Sequence, residues 1–378
     1  MKRNELFALV ISLIISLVIL EVGLRVFTPF PVSRVSNRVE HEKLGHVMNA
    51  NMEEIDEHGF RNNILPSINI VALGDSHTYG FNVASENSWP KLLGRKLEKY
   101  VYNYGIGGYG ILQYEYLLNK STEINPEVIL LGLYLANDLN DICQISSNQY
   151  WASRAKELHI DGNLCPETEK PHQKPNAAAN KKGMATLLWS WLNDKSATIS
   201  IASEYYSRFS TVNKIEDGEI IDSLVINDGK IKTEIAFKRI KAHEEYMNMN
   251  RPHIQMAYEA LKNFLSDAQK HSESDNIRFG VLFIPSKERV FYNYLIQRGY
   301  NVPKEYKQLV ANEDELKANL SLFLENSKIS FTDVLPDMEI ALLKYGNIYP
   351  IKDDGHPNEI GYQIYADSAL KLYQQTIK

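Results

Sequence analysis

The chain has 378 residues, of which 44% are hydrophobic and 23% are charged, so it can bury a full core. Its formal net charge of -6 at pH 7 gives no reason to expect a nucleic-acid partner, because proteins that bind nucleic acid carry basic patches. The sequence shows no internal repeat and no low-complexity tract. These properties indicate a globular protein with one large domain or two.

The N-terminus predicts a single membrane-spanning helix over residues 6–27. Two basic residues precede an apolar run that begins at Leu6, and the helical pattern continues to Phe27. A helix of this length would measure about 33 Å, enough to cross a hydrocarbon core of about 30 Å. No small-residue cleavage site follows the run, which argues against a removed signal peptide. The positive charge before the helix predicts a cytoplasmic N-terminus and places the rest of the chain outside the cytoplasm, in the periplasm or at the cell surface.

The two cysteines, Cys143 and Cys165, fit an extracytoplasmic compartment. Neither lies in a CxxC motif of the metal-binding type, and an oxidising compartment permits them to form a disulfide. Two unpaired thiols are the alternative. The histidines show no metal-ligand spacing with other ligands, so we expect no metal and no cofactor.

An α/β domain is predicted over residues 67–378, after a linker at 28–66. Five short apolar segments alternate with helical segments and are predicted strands: 68–74, 100–105, 127–135, 278–285 and 328–334. This alternation indicates a parallel five-stranded sheet covered on both sides. The expected architecture is a three-layer α/β/α sandwich of the flavodoxin type.

The rhythm of strands and helices is interrupted by an insert at about 142–245. Its segment "MATLLWSWLND" predicts an amphipathic helix. Asp217-Gly218 and Asp228-Gly229 are hairpin-turn signals between alternating runs. The insert is either a lid over a pocket or a peripheral decoration, and the sequence leaves both open.

Candidate catalytic residues lie at the ends of predicted strands. Ser76, in "VALGDSHTYGF", directly follows the first strand, where a parallel sheet binds its ligands. A nucleophilic serine needs a general base, a carboxylate that orients the base, and an oxyanion hole. "KDDGHPN" supplies His356 as the base and Asp353, three residues earlier, as the orienting group. Asp354 is the rival carboxylate, and His77 is expected to be structural or to line the pocket.

Two further segments supply donors for an oxyanion hole. "NYGIGGYG" (103–110) follows the second strand and offers backbone N–H groups that a ligand can approach closely. "LANDLND" (135–141) follows the third strand and offers the side-chain amide of Asn137. Each feature alone is common, since serines often cap helices and Asn or Asp often form turns.

Taken together, these blocks resemble the SGNH (GDSL-type) hydrolases. The GDS block, the glycine turn, the Asn-Asp pair and the DxxHP block stand in the family's order. The resemblance covers roughly residues 57–141 and 278–375. One position departs from the family pattern, because Leu135 stands where a GxND block has glycine.

The resemblance implies a role for each matched residue. Ser76 would be the nucleophile and first oxyanion donor through its backbone N–H. Gly108 would be the second oxyanion donor and Asn137 the third. His356 would be the general base, and Asp353 would be the carboxylate that orients it. The implied reaction is hydrolysis of a carboxylic ester through an acyl-enzyme, with no cofactor.

A looser resemblance reaches the membrane-anchored bacterial members of the family. These carry a "GFR" segment after a terminal helix, here Gly59 to Arg61. This implies an ester substrate on acylated carbohydrate, namely O-acetyl groups of cell-envelope or exported polysaccharide, with an envelope-complex partner as a possibility. The alternatives are an O-acetyltransferase on the same glycans, a lipid esterase or lysophospholipase, and a non-catalytic glycan-binding subunit.

Overall fold

The computed structural model describes residues 38–63, 66–145, 148–166 and 223–378, with five single positions before residue 22. The chain divides into two units, and all of these ranges lie in the unit formed by Arg38–His172 and Asp222–Lys378. Within the described residues, no helix is both long and apolar enough to span a bilayer. Nearly all of the predicted anchor (6–27), the helix predicted at 184–194 and the turn at Asp217-Gly218 lie outside the described residues.

A five-stranded parallel sheet forms the centre of this unit, as the sequence predicts. In spatial order its strands are β4 (Val101–Asn103), β3 (Ile70–Gly74), β5 (Val128–Tyr134), β8 (Arg278–Ile284) and β9 (Ser330–Asp333), and every neighbouring pair is parallel. All seven residues of β5 are buried, as expected of a strand covered on both faces. The strands of the described chain are β1 Arg38–His41, β2 Gly45–Met48, β3 Ile70–Gly74, β4 Val101–Asn103, β5 Val128–Tyr134, β6 Ser223–Asn227, β7 Lys232–Ala236, β8 Arg278–Ile284 and β9 Ser330–Asp333.

Helices follow the strands of the sheet and pack against it in two groups. One group contains α2 (Trp89–Leu97), α10 (Leu335–Tyr345) and α11 (Glu359–Thr376). The other contains α3 (Ile111–Ile124) and α7 (Pro252–Ser274). The helix α7 buries the predicted apolar stripe, including Ile254, Leu261 and Leu265. The helices are α1 Ser76–Tyr79, α2 Trp89–Leu97, α3 Ile111–Ile124, α4 Ile142–Ile145, α5 Ala152–Glu157, α6 Phe237–Tyr246, α7 Pro252–Ser274, α8 Lys287–Gln297, α9 Lys304–Asn326, α10 Leu335–Tyr345 and α11 Glu359–Thr376.

The strand order fixes where a ligand can bind. The chain adds β4 to one side of β3 and then places β5 on the other side. The loops that leave β3 and β5 therefore diverge, which opens a crevice beyond their carboxyl ends. The segments that begin at Asp75 and Leu135 line this position.

The predicted linker contains a structured hairpin. Strands β1 and β2 pair antiparallel between Arg38 and Met48, and Leu44 in their turn is buried. The backbone N–H of Met48 donates to the carbonyl of Gly59 at 3.0 Å, which joins the hairpin to the domain. The two four-residue strands "RVEH" and "GHVM" are too short and too polar for a pattern argument to find them.

Within the insert one predicted hairpin is confirmed, and of the two alternatives left open for the cysteines the structure shows the disulfide. Strands β6 and β7 pair antiparallel around the turn that begins at Asp228-Gly229. Cys143 and Cys165 form a disulfide, with their Cα atoms 5.6 Å apart.

We predict that Gly74→Ala destabilises the protein more than a substitution at another glycine of positive φ. Gly74 has φ of 152°, and an added Cβ would lie 2.1 Å from Oγ1 of Thr78. The expected loss in the free energy of unfolding is about 3 kcal/mol or more. Gly229→Ala is the control, because its φ is 84° but no atom lies within 4 Å, so about 1 kcal/mol is expected. Urea unfolding measures both losses, and equal losses would contradict the steric account.

Candidate active site

Ser76 is held at the carboxyl edge of the sheet by the short helix that it opens. Strand β3 ends at Gly74, and α1 begins two residues later. Asp75 caps this helix, because its side chain accepts a hydrogen bond from the backbone N–H of His77 at 2.8 Å. The helix ends after one turn at Gly80, which adopts a left-handed conformation. The Ser76 hydroxyl is therefore fixed in position and half-buried at the predicted ligand edge.

The structure brings Ser76 and His356 together, as the sequence predicts. The loop before α11 places Nε2 of His356 2.7 Å from Oγ of Ser76. On the other side of the ring, Nδ1 of His356 lies 2.8 Å from a carboxylate oxygen of Asp354. An ionised carboxylate only accepts hydrogen bonds, so Nδ1 carries the proton and Nε2 is left to accept one from Ser76. This is the arrangement that a serine nucleophile and its general base require.

Asp354 is ionised in this arrangement. Burial raises the pKa of its carboxyl group, but hydrogen bonds from the side chain and backbone of His356, and from Asn82, outweigh that effect. The net result is a pKa well below the usual range. The negative charge then fixes the orientation and tautomer of the His356 ring.

The expected contact between Asp353 and His356 is wrong, and the neighbouring carboxylate takes its place. Asp353 instead forms an ion pair with Nη2 of Arg239 at 3.0 Å and accepts a hydrogen bond from the backbone N–H of Ala236 at 3.1 Å. Asp354 Oδ1 accepts the backbone N–H of His356 at 2.9 Å, a local turn that brings its carboxylate against the ring. Asp353 stands three residues before His356, as the family block has it, but the loop bends so that Asp354, two residues before His356, contacts the ring.

A buried lysine supports the loop that carries His356. Lys287 donates through Nζ to the carbonyl oxygens of Glu234 and Lys352, at 3.0 and 3.2 Å. Burial, together with the nearby charge of Arg239, lowers the pKa of Lys287 to about 8. The β6–β7 part of the insert is thereby joined to the histidine loop.

Glu288 compensates the positive charges around this lysine. Its carboxylate is fully buried and lies 3.2 Å from Nδ1 of His243 and 3.8 Å from Nε of Arg239. Burial raises the pKa of Glu288, but His243 and Arg239 outweigh burial and hold it at about 2. Sequence reasoning missed this cluster, although Lys287 and Glu288 directly follow the fourth predicted strand and so reach the edge that carries Ser76.

Within the described chain, no group of three or more His, Cys, Asp or Glu could hold a metal ion.

His77 lies beneath the candidate general base. Its ring is buried, with its centroid 3.9 Å from that of Tyr134 and 4.6 Å from that of His356. Burial holds the pKa of His77 well below its usual value. A neutral ring packed under His356 supports the structural role predicted for it.

Gly108 and Asn137 lie on the two turns expected to donate to an oxyanion. Gly108 has φ of 83°, and its neighbour Gly107 lies against the nucleophile, because an added Cβ on Gly107 would be 3.3 Å from Cβ of Ser76. The side-chain oxygen of Asn137 is buried, and no hydrogen-bond partner for it is found among the described residues. Its amide nitrogen makes no hydrogen bond in that part of the chain either, so this donor is available.

The turn that carries Asn137 is stabilised by Asp138. Its carboxylate accepts the backbone N–H of Tyr134 at 2.8 Å and the hydroxyl of Tyr114 at 2.9 Å. Burial, with the charge of Asp75 nearby, raises the pKa of Asp138 well above its usual value. Leu135, where the family pattern has glycine, is buried and donates to the carbonyl of Ile284 at 3.2 Å. The turn therefore accommodates this side chain.

A parallel α/β sheet with a Ser-His-Asp chain at its carboxyl edge defines the class of serine-dependent hydrolases. The family model described as GDSL-like Lipase/Acylhydrolase matches residues 70–369. The chain therefore belongs to the GDSL-like lipase/acylhydrolase family and is a carboxylic ester hydrolase. A search of curated proteins gave no significant match.

Several solved structures show a distant likeness to the chain. They include an extracellular lipase from Streptomyces rimosus, with 12% identity, a TM-score of 0.38, and coverage of 82% of this chain and 100% of that one. A lipolytic protein of the G-D-S-L family from Veillonella parvula matches with 12% identity, a TM-score of 0.37, and coverage of 82% and 100%. The acetyl xylan esterase AlAXEase matches with 13% identity, a TM-score of 0.36, and coverage of 80% and 98%.

We predict opposite outcomes for the two adjacent aspartates. Asp354→Asn should lower kcat by on the order of 10³-fold, because the orienting charge on His356 is lost. Asp353→Asn should leave kcat within about tenfold and lower the free energy of unfolding by about 1 to 3 kcal/mol, because its ion pair with Arg239 is lost. Steady-state kinetics and urea unfolding of both variants test this. A larger kcat loss in Asp353→Asn would restore the three-residue spacing as the functional one.

Proposed function

We propose that the protein is a serine esterase that removes O-acetyl groups from cell-envelope or exported polysaccharide. The observation that carries the esterase chemistry is the hydrogen-bonded series Asp354, His356 and Ser76, with distances of 2.8 and 2.7 Å. It aligns a carboxylate, an imidazole and a hydroxyl in the order that acyl transfer needs.

The proposed reaction has two steps. His356 takes the hydroxyl proton of Ser76 as Oγ attacks the ester carbonyl, and Asp354 stabilises the imidazolium that forms. The negative oxygen of the tetrahedral intermediate accepts hydrogen bonds from the backbone N–H groups of Ser76 and Gly108 and from the amide of Asn137. His356 then protonates the departing sugar hydroxyl, which leaves acetyl-Ser76. A water molecule that gives its proton to His356 hydrolyses this intermediate and releases acetate.

The surroundings of Ser76 suit a bulky polar alcohol. Phe81 is 50% exposed, and its ring lies 4.9 Å from that of His356, so it offers an apolar surface at the mouth of the site. The apolar face of a sugar ring can pack on such a surface. Gly107, which lies beside Ser76, carries no side chain of its own that would obstruct a polymer. The resemblance to membrane-anchored members supports an envelope glycan as the alcohol part of the ester.

The proposed location follows from the N-terminal sequence. Residues 6–27 would form an uncleaved anchor, with the esterase domain in the periplasm or at the cell surface. An enzyme held there would meet acetylated glycans during their export, in contact with an envelope complex.

We predict that full-length protein in detergent releases acetate from p-nitrophenyl acetate and from O-acetylated polysaccharide, and that Ser76→Ala abolishes both activities. Ser274→Ala is the matched control, because this exposed serine at the end of α7 donates only locally to His271 and Asp275. Acetate release by the wild type that persists in Ser76→Ala would contradict the proposal.

The same assay separates the alternatives. Preference for long-chain esters would indicate a lipid esterase. Acetyl transfer to a sugar hydroxyl in place of acetate release would indicate a transferase. Glycan binding without any turnover would indicate a binding subunit.

We predict that the full-length protein stays with the membrane after carbonate extraction at high pH and that its N-terminus is intact. A membrane-spanning helix resists this treatment because high pH does not make it favourable to move its apolar surface from the hydrocarbon core into water. Release into the supernatant, or a mature N-terminus beyond Phe27, would overturn the proposed anchor.

A further inference from the structure

The hairpin of β1 and β2 contacts the glycine turn with two polar side chains. Nη2 of Arg38 donates a hydrogen bond to the carbonyl oxygen of Gly107 at 3.0 Å, and Nε2 of His46 lies 3.2 Å from the same oxygen. A carbonyl oxygen only accepts, so His46 carries its proton on Nε2. Burial and the adjacent Arg38 charge lower the pKa of His46 to about 4, so the ring is neutral near pH 7.

The register of the hairpin explains why both donors reach one peptide. Glu40 is the cross-strand partner of His46, and Arg38 stands two residues before Glu40 in β1. Side chains two residues apart in a strand share a face, and cross-strand partners share it too. The hydroxyl of Tyr109 donates to the carbonyl of His46 at 2.6 Å and holds the hairpin against the same turn. A shift of one residue in register would turn both donors away.

The glycine turn, residues 106–109, could adopt a type I or a type II form, and the hairpin contacts the type II form. The backbone N–H of Tyr109 donates to the carbonyl of Ile106 at 3.2 Å, so Gly107 and Gly108 are the central residues of a four-residue turn. The φ of 83° at Gly108 is the value that a type II turn requires at its third position. In a type I turn the central peptide is turned over, and a Gly-Gly pair permits either form. Hydrogen bonds to the central carbonyl therefore select the type II form.

The selected form directs the N–H of Gly108 away from the two donors of the hairpin. The described chain contains no cis peptide bond, so the N–H of Gly108 points away from the carbonyl of Gly107. That carbonyl accepts its hydrogen bonds from the hairpin, and Gly107 lies close to both the hairpin and the nucleophile, because an added Cβ would be 3.3 Å from Nη2 of Arg38 and 3.3 Å from Cβ of Ser76. No hydrogen bond of the Gly108 N–H to another group is found among the described residues.

We infer that Arg38 and His46 are positioning residues of the oxyanion hole, which hold the Gly107 carbonyl so that the Gly108 N–H points at the reacting oxygen. This inference rests on the proposed esterase function. The guanidinium also polarises the peptide and strengthens its N–H as a donor. The full negative charge exists only in the tetrahedral intermediate, so loss of this support lowers kcat and leaves KM nearly unchanged.

The test uses the full-length protein with Arg38→Met, His46→Leu and the double variant. Each single change should lower kcat for p-nitrophenyl acetate about 5- to 10-fold and the double change about 10²-fold, with KM within about twofold. The inhibition constant of an aryl boronic acid, which forms a tetrahedral adduct with Ser76, should rise in step with the loss of kcat. Arg95→Met and His58→Leu are matched controls at exposed positions and should leave all three quantities unchanged.

A conservative variant separates the hydrogen bond from general structure. His46→Gln keeps an N–H donor close to the position of Nε2, so its kcat should return to within about threefold of the wild type. Equal losses in His46→Gln and His46→Leu, or a fall in kcat with an unchanged inhibition constant, would overturn the inference. Wild-type turnover that depends on Ser76 and is undiminished in the double variant would overturn the inference alone. Absence of that turnover in the wild type would overturn the proposed function, and the inference with it.

Discussion

The hydrogen bond between Ser76 and His356 is the contact on which the site depends, and it joins residues 280 positions apart in the chain. The parallel sheet brings these two loops to one edge, although they are far apart in sequence. In the order β4-β3-β5-β8-β9 the serine turn leaves the interior strand β3, next to the central strand β5, and α11, which follows the histidine loop, packs on β8 and β9. The long-range fold is therefore a condition for the chemistry, because local structure cannot align the two groups.

Both halves of this pair are held from outside the sheet. The histidine loop is held by three elements: Arg239 of α6 pairs with Asp353, the backbone N–H of Ala236 in β7 donates to the same carboxylate, and Lys287 at the start of α8 donates to the carbonyl of Lys352. The glycine turn beside the serine contacts the N-terminal hairpin through Arg38 and His46. Segments outside the four family blocks, namely the N-terminal hairpin and α6, therefore support residues that lie within those blocks. The ion pair between Arg239 and Asp353 fixes the backbone of the histidine loop. The hydrogen bonds from Arg38 and His46 to the Gly107 carbonyl fix the backbone of the glycine turn.

The sequence predicted the sheet well because its signals are local. The three middle strands β3, β5 and β8 are apolar runs that lead into small or polar residues, and the strand from Val128 to Tyr134 is buried at every position. The choice between Asp353 and Asp354 could not be made from spacing, because adjacent residues on a loop point in opposite directions and the backbone decides which one meets the ring. Arg38, His46 and Glu288 were missed because their partners are distant in the chain.

The most direct test of the central claim is covalent labelling of the nucleophile. Full-length protein is treated with an alkyl fluorophosphonate, and the modified residue is located by peptide mass spectrometry. The account predicts one label per chain, on Ser76, and a large loss of labelling rate in His356→Gln, because the imidazole no longer takes the hydroxyl proton. Labelling at another residue, or labelling of Ser76 at an unchanged rate in His356→Gln, would contradict the account.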